Sequence, residues 1–201
     1  MAGSDHGKRC QCFVQQCDRL GRLTTYAYND IRQLHSVTDP ENRTIQYRWC
    51  KCGDLQQLID AMGRLTRWRH DVAGRVTAKE YADGSKITYA YEPLSGKLSS
   101  ITDEKMQVKT RRYHLDGALA GLAYTNEEHA TPDVTFTYET AYRRLQTMLD
   151  GLGTTGYTYH PVTSGTLGAG QLATIDTPLA NDTLAYSYDQ LSRRTGYTIN
   201  G

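Results

Sequence analysis

The sequence has little phenylalanine, tryptophan or proline, and it has no excess of charge of either sign. Its 201 residues include 2 Phe, 2 Trp and 5 Pro, and 23 Lys+Arg oppose 22 Asp+Glu for a net charge of +1. A balanced charge gives no basic field that would attract nucleic acid. No apolar run approaches the roughly 18 residues of a transmembrane helix, and no apolar stretch of signal-peptide type opens the chain. The sequence therefore predicts neither a nucleic-acid partner nor a membrane span, and it leaves localisation open.

The aromatic residues that the sequence does contain are nearly all tyrosine, with 15 in total. The apolar share of 38% is below the usual value for globular domains. A tyrosine can bury its ring while its hydroxyl stays in water. This composition favours a thin, partly covered sheet over a domain with a deep core.

An aromatic-x-aromatic pair, followed by a polar turn and then Leu or Val, recurs about every 21 residues. The eight copies begin, some of them loosely, at Tyr26, Tyr47, Trp68, Tyr89, Arg111, Phe136, Tyr157 and Tyr186. A fixed period of this length is typical of a stacked array of one small unit. It also favours a structural or binding role over catalysis.

The copy around Tyr89 shows how one repeat is expected to fold. Ile87, Tyr89 and Tyr91 alternate with smaller residues, which predicts a strand with three apolar side chains on one face. Gly96 can supply the positive φ of the following turn, and residues 98–102 return as a second strand. The sequence therefore predicts an all-β chain of about sixteen short strands, an array of antiparallel β-hairpins in a coiled ribbon or shell segment.

The second strand of each repeat has apolar residues three positions apart, such as Leu34 and Val37. In a regular strand this odd separation places the two side chains on opposite faces. Either both faces are partly covered, or a β-bulge lies between the two residues. Partial cover of both faces is the expectation.

The repeats are expected to fill residues 18–201, after an N-terminal leader or cloning-derived segment at 1–17. The sequence ends within a second-strand phrase and shows no cap of the kind that repeat arrays usually need. We expect a piece of a longer array whose open edges favour self-association.

Several phrases closely resemble the YD repeats of bacterial Rhs proteins. They are Tyr-x-Tyr-Asp at 186–189, Ala-Gly-Arg-Val-Thr at 73–77, Ala-Met-Gly-Arg-Leu-Thr at 61–66 and Tyr-Ala-Asp-Gly-Ser at 81–85. Eight copies in approximate register extend the resemblance over residues 18–201.

The resemblance implies a ribbon of hairpins wound into a hollow shell that encloses a toxic C-terminal domain, in proteins that are typically exported or cell-surface. The leading hypothesis is a non-catalytic structural segment of such a shell, whose partners are the rest of its own array and a C-terminal cargo. The alternative is a cell-surface module that binds carbohydrate or another partner. A third is a hydrolase-type enzyme with a thiolate or metal site.

The five cysteines are confined to the first quarter of the chain, at Cys10, Cys12, Cys17, Cys50 and Cys52. Cys10, Cys12, Cys50 and Cys52 could together bind zinc, but paired zinc ligands are usually separated by two or more residues. A disulfide between the two pairs faces the same separation of nearly two repeats. Free thiols are therefore the expectation, with no required cofactor.

Two further groups of side chains are candidate sites. The rings of Tyr89, Tyr91, Tyr157 and Tyr159 could stack on sugars, although such tyrosines usually pair across strands. Aspartates at strand ends, such as Asp60, are predicted to form turns. The six histidines are scattered, and no catalytic residue is predicted.

Overall fold

The computed structural model describes residues 12–200, and every regular element in this part is a β-strand. The strands are β1 Cys12–Cys17, β2 Leu23–Tyr28, β3 Leu34–Thr38, β4 Thr44–Trp49, β5 Leu55–Ile59, β6 Leu65–His70, β7 Val76–Glu80, β8 Lys86–Tyr91, β9 Leu98–Thr102, β10 Val108–Tyr113, β11 Leu119–Thr125, β12 Val134–Tyr138, β13 Leu145–Asp150, β14 Gly153–Tyr159, β15 Leu172–Asp176, β16 Leu184–Tyr188 and β17 Arg194–Ile199. The predicted all-β fold without helix is confirmed over these residues. No segment among them is a helix able to cross a bilayer.

The described residues form two compact units. One comprises residues 12–90 with 102–105, and the other comprises 91–101 with 106–200. In the first, successive strands from β1 to β8 pair antiparallel. In the second, successive strands from β10 to β17 pair in the same way, and β9 pairs with β10. Strand β1 pairs with β2 along six residues, so the sheet already includes residues 12–17, which were expected to be a leader.

A β-bulge recurs at the start of the second strand of the repeat. In β2–β3, Ala27 lies opposite Ser36 and Tyr28 lies opposite Leu34, so that His35 is an extra residue. The same shift occurs in β4–β5, β6–β7, β10–β11, β12–β13, β14–β15 and β16–β17.

The bulge corrects the expectation that the odd spacing reflects cover on opposite faces. Val37 lies opposite Tyr26, and Leu34 lies opposite Tyr28. Directly opposed residues in an antiparallel pair share a face. The bulge therefore places both apolar residues of β3 on the same face as the tyrosine pair of β2.

The described chain has almost no buried core. Ala27, at 4% exposure, is the buried hydrophobic residue, and no described side chain has less than 2% of its surface exposed. Most strand residues are instead half-buried. These burial values agree with the thin sheet predicted from the tyrosine-rich composition.

Candidate functional site

Five turns are built around an aspartate and an arginine four residues later. They are the turns of Asp18–Arg22, Asp39–Arg43, Asp60–Arg64, Asp71–Arg75 and Asp189–Arg193. In the turn at Asp71, Oδ1 accepts the backbone N–H groups of Ala73 at 2.9 Å and Arg75 at 3.0 Å. Oδ2 accepts the Arg75 Nε–H at 2.7 Å. One carboxylate thus fixes the turn backbone and binds the arginine.

These contacts lower the pKa of the aspartates. The pKa of Asp71 lies below its ordinary value of 3.8, chiefly because the backbone N–H of Arg75 donates to the carboxylate, and next because the Arg75 guanidinium does. The pKa of Asp60 is lowered for the same reasons by Arg64. Since both donors favour the charged form, the prediction that such aspartates form turns is confirmed at Asp60.

The turn at Cys50 has the same backbone and different side chains. The Cys50 N–H donates to the Asp54 carbonyl at 2.8 Å, and the Gly53 N–H donates to the Cys50 carbonyl at 3.2 Å. The Sγ atom of Cys50 takes the place of the aspartate oxygen, because it accepts the N–H groups of Cys52 at 3.0 Å and Asp54 at 3.1 Å. Asp54 stands where the other turns have arginine.

These substitutions bring two sulfurs and a carboxylate together. The ligand atoms of Cys50, Cys52 and Asp54 all lie within 4.8 Å of one another. Cys52 Sγ is 3.5 Å from Asp54 Oδ2, and Cys50 and Cys52 are joined as a disulfide.

The three residues border a groove of 410 Å³ whose wall includes Arg67, Arg69 and His70. Cys52 and the two arginines are exposed, while Cys50, Asp54 and His70 are half-buried. Solvent and small ions can therefore reach the sulfurs. Arg67 lines the groove, and Arg69 there is paired with Glu80 at 3.1 Å.

The cysteine predictions have different outcomes. Cys10 lies outside the described residues, as does the side chain of Cys12. Cys17 is a free, exposed thiol, as expected, but Cys50 and Cys52 form a disulfide with each other instead of carrying free thiols. Pairing within one Cys-x-Cys turn was not foreseen. The lead position of the repeat turn was the available signal, because Cys50 occupies the place of Asn29 and Asp71 in the 21-residue period.

The four tyrosines suggested for ligand stacking are all half-buried. The Arg144 guanidinium lies 4.2 Å from the ring centroid of Tyr159, and the Tyr159 hydroxyl donates to the Leu145 carbonyl at 2.8 Å. Burial and, next, the negative charge of Glu139 raise the pKa of Tyr159. These contacts give Tyr159 a structural role, while stacking by Tyr89, Tyr91 and Tyr157 remains a prediction.

The Tyr159 contact belongs to a series that sequence reasoning missed. The last aromatic residue of a strand donates to the carbonyl of the leucine that begins the preceding strand. The pairs are Trp49 Nε1 to Leu34 at 2.7 Å, Tyr113 to Leu98 at 2.9 Å, Tyr138 to Leu119 at 2.9 Å, Tyr159 to Leu145 at 2.8 Å and Tyr188 to Leu172 at 2.9 Å. We call these contacts the aromatic anchors. They tie β4, β10, β12, β14 and β16 each to the strand before it.

Comparison with known proteins places the repeat in a family. Residues 53–86 match the family model described as RHS Repeat. Teneurin-m of Drosophila melanogaster is 26% identical over 203 aligned positions, which include 73% of this chain and 7% of that protein. The resemblance inferred from the sequence is therefore confirmed.

Solved structures with the same fold come from toxin complexes. The crystal structure of TcdB2-TccC3-TEV matches 90% of this chain and 11% of that chain, with a TM-score of 0.67 and 16% identity. The Photorhabdus luminescens Tc holotoxin pore, with a TccC3 mutation, matches 88% of this chain and 13% of that chain, with a TM-score of 0.56 and 16% identity. The chain thus spans a small part of the proteins it resembles.

Proposed function

We propose that this chain, whose residues 53–86 match the RHS Repeat model, is a non-catalytic segment of a repeat shell that encloses or presents a C-terminal cargo. The observation that carries the proposal is an array of strands with almost no core of its own, whose fold matches a TcdB2-TccC3 structure over 90% of the chain. A wall needs a continuous sheet and little interior. A soluble enzyme of similar size would usually enclose a pocket within a packed core.

The aromatic anchors support a role as a wall. Each anchor donates a hydrogen bond to a backbone carbonyl of the preceding strand. Displacement of one strand therefore breaks a contact with its neighbour. In an array, stability is approximately the sum of such neighbour contacts. A wall of this kind resists local opening better than independent hairpins, because isolated hairpins are at best marginally stable in water.

The first and last described strands support continuation of the wall into further repeats. In β1, Phe13 is 62% and Val14 is 54% exposed, and in β17, Tyr197 is 62% and Ile199 is 57% exposed. Exposed apolar side chains on such strands favour pairing with another strand. We assign these two surfaces to neighbouring repeats of the same array, and self-association of the isolated segment is expected when those repeats are removed.

Limited proteolysis of the full natural chain tests the enclosure. A protease recognition sequence is inserted into the segment that follows the repeats, and the rate of cleavage is measured with the shell intact and with the shell loosened by the double substitution Tyr138→Ala and Tyr159→Ala. Slow cleavage in the intact chain and fast cleavage in the loosened chain are expected. Tyr142→Ala, at a tyrosine that is 57% exposed and is not an anchor, is the matched control and should remain slow.

Equal and fast cleavage in all three proteins would contradict enclosure, as would a full chain with nothing beyond the repeats. If cleavage is fast in the intact chain and electron microscopy shows a closed wall, the cargo is presented outside the wall and is not enclosed by it.

A further inference from the structure

We propose that the turn at Cys50, once reduced, binds one zinc ion through Cys50 Sγ, Cys52 Sγ and a carboxylate oxygen of Asp54. This site differs from the four-cysteine arrangement considered from the sequence, since all of its ligands come from a single turn. It is also independent of the role of the array as a wall.

Comparison of the turns within the chain identifies the site. Relative to the turn at Asp60, four of the five positions differ, and three of these changes supply ligand atoms, because Asp60, Met62 and Arg64 correspond to Cys50, Cys52 and Asp54. The backbone hydrogen bonds of the two turns correspond one to one. The three changes therefore replace an internal ion pair with three metal-ligand atoms on one side of an unchanged turn.

The distances fit a tetrahedral ion. Zinc binds thiolate sulfur at about 2.3 Å and carboxylate oxygen at about 2.1 Å, which separates a sulfur and an oxygen on one ion by roughly 3.6 Å. Cys52 Sγ and Asp54 Oδ2 are 3.5 Å apart. The two sulfurs must separate to roughly 3.8 Å on the same ion. Reduction of the disulfide permits that movement, and all three ligand atoms already lie within 4.8 Å of one another.

The surroundings favour a charged site. Two thiolates and one carboxylate carry three negative charges, and the ion compensates two of them. The N–H groups of Cys52 and Asp54 already point at Cys50 Sγ, and such outer donors orient and support metal-bound thiolates. Arg67 lines the same groove. The fourth coordination position opens into that groove and is left to water, as in zinc sites with three protein ligands.

The chemistry requires a reductant before the metal. A dithiol or a phosphine supplies two electrons to the Cys50–Cys52 disulfide and is itself oxidised, and the two sulfurs take up two protons. Zinc binding then displaces the thiol protons to solvent. Oxidised and metal-bound forms exclude each other, because the same two sulfurs are used in both.

Cobalt(II) is the probe for the test, since it replaces zinc and gives sulfur-to-cobalt charge-transfer absorption. The experiment uses the whole chain with Cys10→Ser, Cys12→Ser and Cys17→Ser, so that only two thiols remain. After reduction with a phosphine, we expect one equivalent of cobalt per chain and loss of the absorption when zinc is added. The oxidised protein should show no such absorption.

Substitutions in the turn assign the ligands. Cys50→Ser or Cys52→Ser should abolish the two-sulfur absorption, and Asp54→Asn should weaken cobalt binding by at least about tenfold. Asp60→Asn, in the neighbouring turn of the same repeat, is the matched control and should leave the cobalt titration unchanged. Circular dichroism checks that each variant keeps its strand signal.

Four results would overturn the proposal. They are no sulfur–cobalt absorption in the reduced three-serine chain, absorption that survives loss of Cys50 or Cys52, an Asp54→Asn variant that binds as tightly as its parent, and a stoichiometry of one ion per two chains.

Discussion

The turn at Cys50 and the turn at Asp71 share one backbone and differ in what their side chains can do. Both close with the lead residue donating its N–H to a carbonyl four residues later. In one turn, the Asp71 carboxylate binds Arg75 and is fully used within the turn. In the other, no arginine binds the lead side chain, and Cys50, Cys52 and Asp54 line a groove that Asp71 also borders. The same turn therefore serves as a closed structural unit in one place and as an accessible set of ligands in another.

The comparison shows which parts of the turn the fold requires. A lead side chain that accepts two N–H groups is common but not required. Asp71, Asn29 and Cys50 each accept in this way, whereas Tyr81 and His114 lead turns that close through the same two backbone hydrogen bonds. The fourth residue must adopt a positive φ, as at Gly74 and Arg32. The remaining positions are free to vary. New chemistry can therefore arise in this repeat without cost to the sheet.

Exchange of the two side-chain sets should have the largest effect. Cys50→Asp with Asp54→Arg should convert the turn to the Asp71 type and abolish cobalt and zinc binding in the reduced chain, because two of three ligands are lost. The reciprocal change, Asp60→Cys with Met62→Cys and Arg64→Asp, should create a second site.

Metal titration and circular dichroism measure both exchanges. Two equivalents of cobalt in the grafted chain and none in the converted chain are expected. A converted chain that loses its strand signal would show that Cys50 is needed for folding, and the turns would then not be interchangeable.

The fold could be predicted because it follows from a short period. Alternation at Ile87, Tyr89 and Tyr91 specifies a strand locally, and each strand pairs with its neighbour in sequence, so few long-range pairings had to be inferred. The bulge at His35 could not be read from the same alternation. Odd spacing fits either a bulge or two covered faces, and only the register of β2 against β3 decides between them.

The candidate site was harder to predict because it depends on equivalence between turns. The spacing of Cys50 and Cys52 is informative when it is compared with that of Asp60 and Met62 in the same chain. It is much less informative when it is compared with the spacing of zinc ligands in other proteins. Asp54 gave no indication of a site, since a carboxylate in a polar turn carries no signal by itself. The aromatic anchors could not be predicted for another reason. The hydrogen-bond partner of Trp49 is a backbone carbonyl, and because every residue has one, the sequence does not indicate which carbonyl is used.

Loss of an anchor should have the next largest effect. Tyr188→Phe removes the hydroxyl that donates to the Leu172 carbonyl at 2.9 Å, and it should lower the free energy of unfolding by about 1 kcal/mol. Trp49→Phe, beside the cysteine turn, should cost more, because it removes both the indole N–H bonded to Leu34 and part of the ring. Urea unfolding measures both, and equal stability of Tyr188→Phe and its parent would contradict the structural role of the anchors.

Acid should weaken the Asp71 turn, because the carboxylate of its lead residue becomes protonated. Acid should not weaken the Cys50 turn through its lead residue, which carries no carboxylate. The folded pKa of Asp71 lies below the ordinary 3.8, so its stabilising effect is complete above that value and is lost as the pH falls through the folded pKa. Asp71→Asn should therefore flatten the decline of the unfolding midpoint on acidification below about pH 4. Cys50→Asp with Asp54→Arg should steepen it. Identical acid profiles for all three chains would contradict the assignment.

The fourth position of the turn should give the smallest effect. Arg32 has a φ of 61° and Ser192 a φ of 58°, where Gly63 and Gly74 both have 78°. A side chain in this region costs about 1 kcal/mol, while glycine restores part of that cost through its greater freedom in the unfolded chain. Arg32→Gly should therefore stabilise the chain by about 0.5 kcal/mol, and Gly74→Ala should destabilise it. Because an added Cβ at Gly74 would lie 3.5 Å from Asp54 Oδ2, an ordinary contact, the loss in Gly74→Ala reports backbone strain and not crowding. Thermal unfolding of both variants measures the difference, and a change of the same sign in the two would show that positive φ is not what the turn requires at this position.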